Sequence, residues 1–455
     1  MRSNGFGRRV VEAGGRDLVP VDQPFEGVVH LPDSRARTEH KERVRNILLT
    51  RIDSSAVSRL PRPALRAEIA KLVHEIATSE RLHLNEIEEN AFATELTDDL
   101  IGLGPLEPLL DDEDVTDILV NGPYDVFVER LGKLEKTAAR FRDVQHVVNV
   151  AQRIAAAVGR RIDEASPLVD ARLADGSRVN IVLGPLVLNG GTISIRKFPK
   201  YSLTLEDMVR SANLSPAMAR FLEVVARIRA NVLICGGSGS GKTTLLNAVS
   251  RGIDNRERII TIEDAVELRL QQPHVVQMET RAPNIEGVGA VPQRELVRNA
   301  LRMRPDRIII GEVRGPEAFD MLQAMNTGHD GSMSTVHANS PRDALYRFEN
   351  MVMMANLNLP LGAIRMQIGS AVHLVVHTER MRDGMRRVLK IAEVGGVGGD
   401  AISLRDLFTF EYRGERRDGT LEGVFEPSRM RPDIAIRAQQ FGLERQLLDS
   451  LGVTG

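Results

Sequence analysis

A glycine-rich octapeptide, "GGSGSGKT" at residues 236–243, constrains the fold of this chain more than any other stretch. It follows an apolar run, "ANVLIC", and precedes a helical pattern that begins at Lys242. Glycines let successive backbone N–H groups turn inward around an anion, and the dipole of the following helix favours negative charge at its N-terminus. The octapeptide therefore predicts a phosphate-binding loop between a buried strand and a helix of an α/β domain.

The residue types in this loop predict a nucleotide as its ligand. We expect Lys242 to reach the β- and γ-phosphates of ATP, and the Thr243 hydroxyl to ligate Mg²⁺. A glycine-rich turn without a ligand is the alternative. Cys235, directly before the loop, is expected to be a small core residue. The predicted nucleotide-binding residues are Gly236, Gly237, Ser238, Gly239, Ser240, Gly241, Lys242, Thr243 and Thr244.

Apolar strands and helices alternate on both sides of the loop, from about residue 203 onward. Strands are predicted at "ANVLICGG", "RERIITIED", "DRIIIGEV" and "GSMSTVHAN", with helical patterns between them. Buried, all-apolar strands separated by helices indicate a parallel sheet that is covered on both faces. Two antiparallel strands are then predicted about Asp383–Gly384, and residues 395–400 are predicted to form a flexible turn.

Glycine and proline residues that favour turns, together with changes in hydrophobic periodicity, mark boundaries that divide the chain into segments. We predict a disordered arm at 1–40, a small helical bundle at 41–100, an α/β domain at 101–198, a linker at 199–206, the nucleotide-binding domain at 207–415 and a C-terminal extension at 416–455.

Composition argues against several classes of protein. The net charge of −2 and the 4% of aromatic residues leave little for a nucleic-acid-binding surface, so no nucleic acid partner is expected. One cysteine excludes a disulfide framework and indicates a reducing compartment. No window approaches the ~20 apolar residues that span a bilayer. We expect a soluble cytosolic protein that docks on a membrane protein.

The strand "RIIIGE" ends in an unusual pair, Gly311 and Glu312. In proteins with a phosphate-binding loop, a later buried strand usually ends in Asp followed by Glu. Glu312 is expected to polarise a water towards the γ-phosphate. Without the aspartate, Mg²⁺ must depend on Thr243, phosphate oxygens and waters, which this ion tolerates.

Two further segments supply candidate catalytic groups. The stretch "TIEDAVEL" presents Glu263, Asp264 and Glu267 at a strand end, although a solvated start of a helix is the alternative. The stretch "TGHDGSMSTVHAN" places His329 and His337 around a strand, where a histidine can donate to a γ-phosphate. Ordinary turn or core histidines are the alternative for both.

Four segments in order resemble the secretion ATPase superfamily of type II and type IV secretion and type IV pili: "GGSGSGKTT", "TIEDAVEL", "IIIGEVRG" and "STVHAN". They are similar to its Walker A motif, Asp box, Walker B motif and His box, and in that family the Walker B strand does end in Gly-Glu. Four others, "VTDILVNGP", "SPLVDARLADGSRVN", "ISIRKF" and "LRMRPDRIIIGEVRG", resemble the CpaF/TadA group, the motors of tight-adherence (Tad/Flp) pili. The resemblance covers about residues 95–415.

The resemblance implies a PAS-like domain, a linker and a RecA-like P-loop NTPase domain, with nucleotide bound between the two domains of each subunit of a homo-hexamer. It implies catalytic roles for Glu312, Glu263 and His337. Arginines of the first domain would neutralise charge on the γ-phosphate, and Arg172, Arg178 and Arg196 fall on the matching motifs. Arg160 and Arg161 are weaker candidates, and an ordinary surface position is the alternative for each arginine.

The function implied is that of an ATPase motor for assembly, with retraction as a further capability, of a Tad/type IV-like pilus, or for secretion through an inner-membrane machine. Its partner would be the platform protein of that machine, at the inner face of the cytoplasmic membrane. The four-cysteine metal site of many related motors is excluded by the single cysteine. A conjugation-type ring ATPase, a nucleotide-dependent switch without motor work and a DNA translocase are the alternatives.

Overall fold

The computed structural model describes residues 34–51, 60–82, 84–130, 132–198, 203–281, 283, 288–355, 358–398 and 401–453. The chain divides between Gly104 and Pro105 into two compact units. Residues 1–33 of the predicted arm (1–40) and residues 199–202 of the predicted linker (199–206) lie outside the described residues. The remaining parts are not irregular throughout, because residues 34–40 begin the helix Ser34–Arg51 and residues 205 and 206 begin the helix Leu205–Arg210.

The first unit consists of helices that share one apolar core, as the periodicity predicted. They are α1 (Ser34–Arg51), α2 (Arg62–Ser79) and α3 (Glu86–Ile101). Helix α3 begins at a capping box, in which the Asn85 side chain accepts from the Glu88 backbone N–H and the Glu88 carboxylate accepts from the Asn85 N–H. The buried side chains of the core recur at three- and four-residue spacing and include Val44, Leu48, Leu65, Ile69, Val73, Ile76, Phe92 and Leu96.

The second unit begins with a short helix, α4 (Glu107–Asp111), and an antiparallel sheet in the order β3-β2-β1-β6-β5-β4. Its strands are β1 (Val115–Asn121), β2 (Val126–Arg130), β3 (Lys133–Lys136), β4 (Leu168–Arg172), β5 (Arg178–Leu183) and β6 (Gly191–Arg196). Helix α5 (Val144–Ala157) packs its apolar stripe against this sheet. The sequence did not predict β3, because all four of its residues are exposed and three are charged.

A nine-stranded sheet follows, in the order β15-β14-β13-β12-β7-β11-β10-β8-β9. The six strands from β12 to β9 are parallel, and β12 to β15 form antiparallel hairpins. The predicted α/β class with a parallel-rich sheet is confirmed. The strands are β7 (Val232–Gly236), β8 (Ile259–Glu263), β9 (Val275–Glu279), β10 (Arg307–Ile310), β11 (Met333–His337), β12 (Leu374–Arg380), β13 (Arg386–Gly398), β14 (Ala401–Glu415) and β15 (Leu421–Pro427).

Helices cover both faces of this sheet. Alternate residues of β7 point to opposite faces, so that Val232 and Ile234 enter one core while Leu233 and Cys235 enter the other. Cys235 is fully buried there as a small apolar residue. The helices are α6 (Leu205–Arg210), α7 (Pro216–Arg227), α8 (Lys242–Ser250), α9 (Gln293–Ala300), α10 (Glu317–Asn326), α11 (Pro341–Met353), α12 (Leu361–Ala371), α13 (Ile434–Gln440) and α14 (Glu444–Ser450).

Two details differ from the sequence-based expectation. The predicted flexible turn at 395–400 is wrong for residues 395–398, because β13 continues to Gly398 and Val397 pairs with Ile402 of β14. Residues 399 and 400 lie outside the described residues. The stretch set apart as a C-terminal extension, 416–455, supplies β15 to the sheet and the buried side chains of Ile434, Leu447 and Leu451 to its core.

Candidate nucleotide-binding site

The order of the parallel strands determines which side chains meet. The carboxyl ends of β7, β11, β10 and β8 lie side by side at one edge of the sheet, and β11 separates the strand of the glycine-rich loop from the strand before Glu312. Ligands of open α/β sheets bind at this edge. His337, the last residue of β11, therefore lies between the loop and Glu312.

The glycine-rich loop connects β7 to α8, as predicted. Gly241 has φ of +94°, a left-handed conformation that places Lys242 at the first position of the helix. A Cβ on Gly236 would lie 2.1 Å from the Thr378 carbonyl oxygen and 2.4 Å from Ser240 Oγ, so only glycine fits there. These two glycines fix the turn that aims the backbone N–H groups at a phosphate.

Lys242 is held inside the loop. Its side chain is 8% exposed, and Nζ donates to the Gly237 carbonyl at 2.8 Å. Nζ also lies 3.5 Å from His337 Nε2. Burial lowers the pKa of Lys242, although the charge of Glu312 opposes that shift. A buried ammonium with few anionic partners is suited to bind phosphate oxygens.

Glu312 lies between His337 and Arg314. Its Oε1 is 3.3 Å from His337 Nε2, and its Oε2 accepts a 2.8 Å hydrogen bond from Arg314 Nη2. Burial alone would raise the pKa of Glu312, but the hydrogen bond and charge of Arg314, aided by His337 and Lys242, outweigh burial and lower it. Glu312 is therefore ionised at neutral pH.

The two histidines of the predicted pair are separated. Burial and the charge of Lys242 lower the pKa of His337, so its imidazole is neutral at pH 7. His329 precedes β11 and therefore lies at the opposite edge of the sheet, where its backbone carbonyl accepts from Ser332 Oγ. The interpretation of His329 as a phosphate ligand is wrong for this reason.

Glu263 accounts for the glycine at position 311. Strands β8 and β10 are neighbours, and a Cβ on Gly311 would lie 2.9 Å from Glu263 Cγ. The Glu263 side chain, 3% exposed, occupies the space that an aspartate at position 311 would need. Its Oε2 accepts from the backbone N–H groups of Glu267 and Leu268, at 2.7 and 3.0 Å. Burial raises the pKa of Glu263 to about 7.

The oxygen atoms at this edge fit a magnesium ion. Mg²⁺ takes oxygen ligands and keeps several of its waters. Glu263 Oε1 is buried and has no hydrogen-bond partner among the described residues, which leaves it available to the hydration shell of a cation. Thr243, at the start of α8, is the residue that would hold the ion.

Two arginines of the first sheet reach the segment after β8. Arg172 Nη2 donates to the Val266 carbonyl at 2.9 Å, and Arg178 Nη2 donates to the Ala265 carbonyl at 3.0 Å. Arg178 also lies 3.2 Å from Glu267. These contacts connect the antiparallel sheet to the predicted Asp box.

The cleft between the two sheets has a volume of about 840 Å³. Arg196 lines it, but its Nε donates to Asp117 of the neighbouring strand at 3.1 Å and 65% of its side chain is exposed. Arg161 pairs with Asp163 of its own loop. The other charged residues that line the cleft include Arg160, Arg172, Arg178, Asp264, Glu279 and Arg314.

Arg314 is the residue that sequence reasoning missed. It hydrogen bonds to Glu312 and, through Nη1, to Asp264 Oδ2 at 3.2 Å, so it connects the carboxylate near the loop to the wall of the cleft. Its position two residues after Glu312 in "GEVRG" was the available signal. A side chain at i+2 after a strand end can fold back onto residue i.

The chain matches a known protein family, described as "Type II/IV secretion system protein", over residues 99–387, which is more than half of its length. The chain belongs to this family. With the phosphate loop and Glu312 in place, it is an ATPase with the RecA-like fold of the family, and the predicted superfamily is confirmed. Within the described residues, no helix combines the length and apolar character needed to cross a membrane.

Similar proteins carry transfer and secretion names. A Mycobacterium tuberculosis protein named for conjugal transfer is 41% identical over 303 residues, covering 65% of this chain and 86% of the relative. The conjugal transfer protein TrbB of Rhizobium radiobacter is 32% identical over 290 residues, covering 63% and 86%. The crystal structure of the VirB11 ATPase from the Brucella suis type IV secretion system, in complex with sulphate, is 31% identical and covers 63% of this chain and 91% of that chain, with a TM-score of 0.34.

Proposed function

We propose that this ATPase is a motor whose two α/β domains open and close on each nucleotide, and that six copies form a ring. The observation that carries the proposal is the contact of Arg172 and Arg178 with the segment after Glu263. Residues from both domains then face one site, so a change at the nucleotide alters the contact between the domains.

The side chains at the strand ends have distinct tasks in hydrolysis. Lys242 and the loop N–H groups bind the β- and γ-phosphate oxygens. Glu312, kept ionised by Arg314, accepts a hydrogen bond from the attacking water and takes its proton as the γ-phosphoryl group leaves ADP. Bound Mg²⁺ would supply positive charge that offsets the charge on the phosphate oxygens.

His337 and Glu263 support these groups. His337, neutral and in contact with both Lys242 and Glu312, is placed to register the presence of the γ-phosphate. Glu263 presents its free Oε1 to the hydration shell of the cation. Arg172 and Arg178 neutralise phosphate charge when the cleft is closed, and Arg196 is retained as a third candidate because it lines the same cleft.

We infer that the work is assembly of a Tad/type IV-like pilus, with retraction as a further capability, or secretion through an inner-membrane machine. The partner is the platform protein of that machine, and the ring lies at the cytoplasmic face of the membrane. The resemblance of the first sheet and of "LRMRPDRIIIGEVRG" to the CpaF/TadA group supports this proposal. No nucleic acid partner is expected.

A conjugation-type ring ATPase is the second candidate. The names of the M. tuberculosis and R. radiobacter relatives favour it. The helical unit that precedes the family match favours the pilus motor, since conjugation-type ATPases generally lack such a unit. Deletion of the gene in its host, followed by electron microscopy of surface pili and by a mating assay, separates the two candidates.

Two substitutions test the roles proposed for Lys242 in nucleotide binding and for Glu312 in hydrolysis. Lys242→Ala should abolish tight binding of a fluorescent ATP analogue, because the loop loses its cation. Glu312→Gln should bind the analogue normally and lose at least about 100-fold in kcat, the usual contribution of a general base. Glu295→Gln, an exposed carboxamide substitution on α9, is the matched control and should retain turnover. Normal turnover of Glu312→Gln would refute the role given to that carboxylate.

Particle images with and without a non-hydrolysable ATP analogue test the ring and its motion. Six-membered rings whose interdomain angles change with nucleotide would support the motor. Binding of ATP with no measurable turnover at ring-forming concentration would favour a nucleotide-dependent switch, and stimulation of hydrolysis by DNA would favour a translocase.

A further inference from the structure

The hairpin of β12 and β13 touches the phosphate loop on one side and the antiparallel sheet on the other. Thr378, Arg380 and Arg386 supply these contacts. None of the three has a role in the proposed hydrolysis reaction. The hairpin is thus a direct structural connection between the first domain and the loop, separate from the contacts of Arg172 and Arg178.

On the loop side, the hairpin binds backbone carbonyl groups. Arg386 Nε donates to the Gly239 carbonyl at 2.8 Å, and Thr378 Oγ1 donates to the Ser240 carbonyl at 2.8 Å. These two bonds fix the orientation of the Gly239 and Ser240 peptides, in a loop that the Ser240 N–H closes by donating to the Gly237 carbonyl at 3.4 Å. A guanidinium on a carbonyl also polarises that peptide and strengthens its N–H as a donor.

The two arginines pack against the outside of the loop. A Cβ on Gly241 would lie 3.4 Å from Arg386 Cδ, and one on Gly239 would lie 3.8 Å from Arg380 Nη1. Their side chains are therefore placed behind the loop glycines, where they act on phosphate binding through the backbone.

On the side of the first sheet, one carboxylate serves both arginines. Glu129 Oε1, at the end of β2, lies 3.5 Å from Arg380 Nη1 and 3.6 Å from Arg386 Nη2. Arg380 also donates to the Gly132 carbonyl in the turn after β2. At 3.5 Å and beyond the carboxylate contacts are mainly Coulombic, and without Glu129 the two guanidinium groups would repel each other.

We propose that Glu129 is a positioning residue that holds Arg386 on the phosphate loop only while the first sheet is docked on the hairpin. Glu129, Arg380 and Arg386 form an interdomain latch. When the first sheet moves away, Arg386 loses its counter-charge, the Gly239 peptide is held less firmly, and nucleotide binds less tightly. The inference rests on the proposed opening and closing of the cleft. It adds that this motion changes the affinity for nucleotide through the contact between Glu129 and Arg386.

The substitution Glu129→Gln removes the charge and keeps the shape. In the full chain, at low salt, the Kd of a fluorescent ADP analogue should rise about fivefold, the upper end of what a partly exposed ion pair contributes. The KM for ATP should rise by a similar factor, with kcat within about twofold. Glu135→Gln is the matched control, since Glu135 pairs with Arg130 within the same sheet, and its Kd should match the unmodified chain. Because the contact is Coulombic, the effect of Glu129→Gln should shrink at 0.5 M salt.

A double-mutant cycle with Arg386→Gln shows whether Glu129 acts through Arg386. Once Arg386→Gln is present, Glu129→Gln should change the Kd by less than about 1.5-fold. Independent, multiplicative effects would overturn the latch, and so would tighter binding by Glu129→Gln, which would mean that the carboxylate acts directly on phosphate charge. Should Glu129→Gln fold poorly, Glu129→Asp, which retains the charge, serves as the second variant and should lie between it and the unmodified chain.

Binding of ADP needs no turnover. A chain that binds ADP but never hydrolyses ATP would refute the motor function and leave the latch measurable, whereas an unchanged Kd in Glu129→Gln would refute the latch alone.

Discussion

Substitution of Gly311 by alanine tests whether Glu263 takes the space of the missing aspartate. The new methyl group would lie 2.9 Å from Glu263 Cγ, closer than Cβ atoms approach other atoms in proteins, and 3.4 Å from Glu263 Oε2. The backbone of Gly311 is not left-handed, so alanine brings no strain of its own there. The substitution therefore acts through its contact with Glu263.

The size of the effect follows from how firmly Glu263 is held. Its Oε2 accepts two backbone hydrogen bonds, so the side chain cannot swing away without weakening them. Overpacking of this kind costs about 1–3 kcal/mol. Replacing glycine by alanine contributes about 0.4–1 kcal/mol in the other direction through the unfolded chain. Gly311→Ala should lower the free energy of unfolding by about 1–2 kcal/mol.

The decisive comparison is made in a Glu263→Ala background. In Glu263→Ala the methyl at 311 would meet only the Cβ of residue 263, at an ordinary contact distance of 3.5 Å, so the same substitution should become neutral or stabilise by about 0.5 kcal/mol. The sign of its effect thus reverses. Urea unfolding, followed by circular dichroism without nucleotide or metal, measures both values.

Gly362→Ala provides the matched control. A Cβ at Gly362, in the first turn of α12, would meet nothing within 4 Å, so that substitution should be neutral or slightly stabilising in both backgrounds. Equal destabilisation by Gly311→Ala in both backgrounds, within about 0.5 kcal/mol, would refute the reciprocal packing of Gly311 and Glu263.

Three further outcomes are expected. Arg314→Lys keeps the positive charge but loses the planar guanidinium that bonds Asp264 through Nη1 and Glu312 through Nη2, so kcat should fall about tenfold with little change in KM. Without the Arg314 hydrogen bond, burial raises the pKa of Glu312, so the acid limb of the pH profile of kcat should move to higher pH. An unmoved acid limb would contradict this. Glu263→Gln should match the unmodified chain in its free energy of unfolding near pH 4.5 and exceed it by up to about 3 kcal/mol above pH 7. The reason is that the pKa of Glu263 in the folded chain is raised to about 7, so the unmodified chain loses stability as the pH rises from 4.5 to 7. Urea unfolding between pH 4.5 and 8 measures this difference in stability, and a difference that does not depend on pH would contradict the prediction. Leu447→Ala, on the buried face of α14, should lower the free energy of unfolding in urea by about 2–5 kcal/mol. Its control, Ile436→Ala on the exposed side of α13, should lower it by less than about 0.5 kcal/mol. Equal effects of the two substitutions would show that residues 416–455 add nothing to the core.

Sequence patterns predicted the central strands because burial on both faces makes them continuously apolar. Strands β7, β8 and β10 are fully buried along their whole length. Strands β9 and β14 went unpredicted because exposed polar and charged residues interrupt them, as in "ISLRDLFTFEYRGE". Their positions are set by pairing with a neighbouring strand, which depends on tertiary structure more than on local pattern.

Motif spacing predicted residues of the candidate site but not their contacts. Lys242 and Glu312 were identified because their residue types match a known chemistry at a strand end. That Glu263 fills the space beside Gly311, and that Arg314 joins Glu312 to Asp264, depend on which strands are neighbours. The order β7-β11-β10-β8 is a matter of crossover connections, which no single segment of the sequence encodes.

The same strand order gives Glu312 two routes of contact with the rest of the molecule. Through His337 it is coupled to Lys242 at the phosphate loop, and through Arg314 to Asp264 at the wall of the interdomain cleft. Loss of negative charge beside Lys242, when a γ-phosphate leaves, would strengthen the attraction between Lys242 and Glu312 and so weaken the hold of Glu312 on Arg314. Arg314 would then be free to pair more fully with Asp264. Because both steps use contacts of 2.8–3.5 Å between side chains at one edge of the sheet, the proposed coupling of hydrolysis to cleft opening needs no movement of the sheet itself.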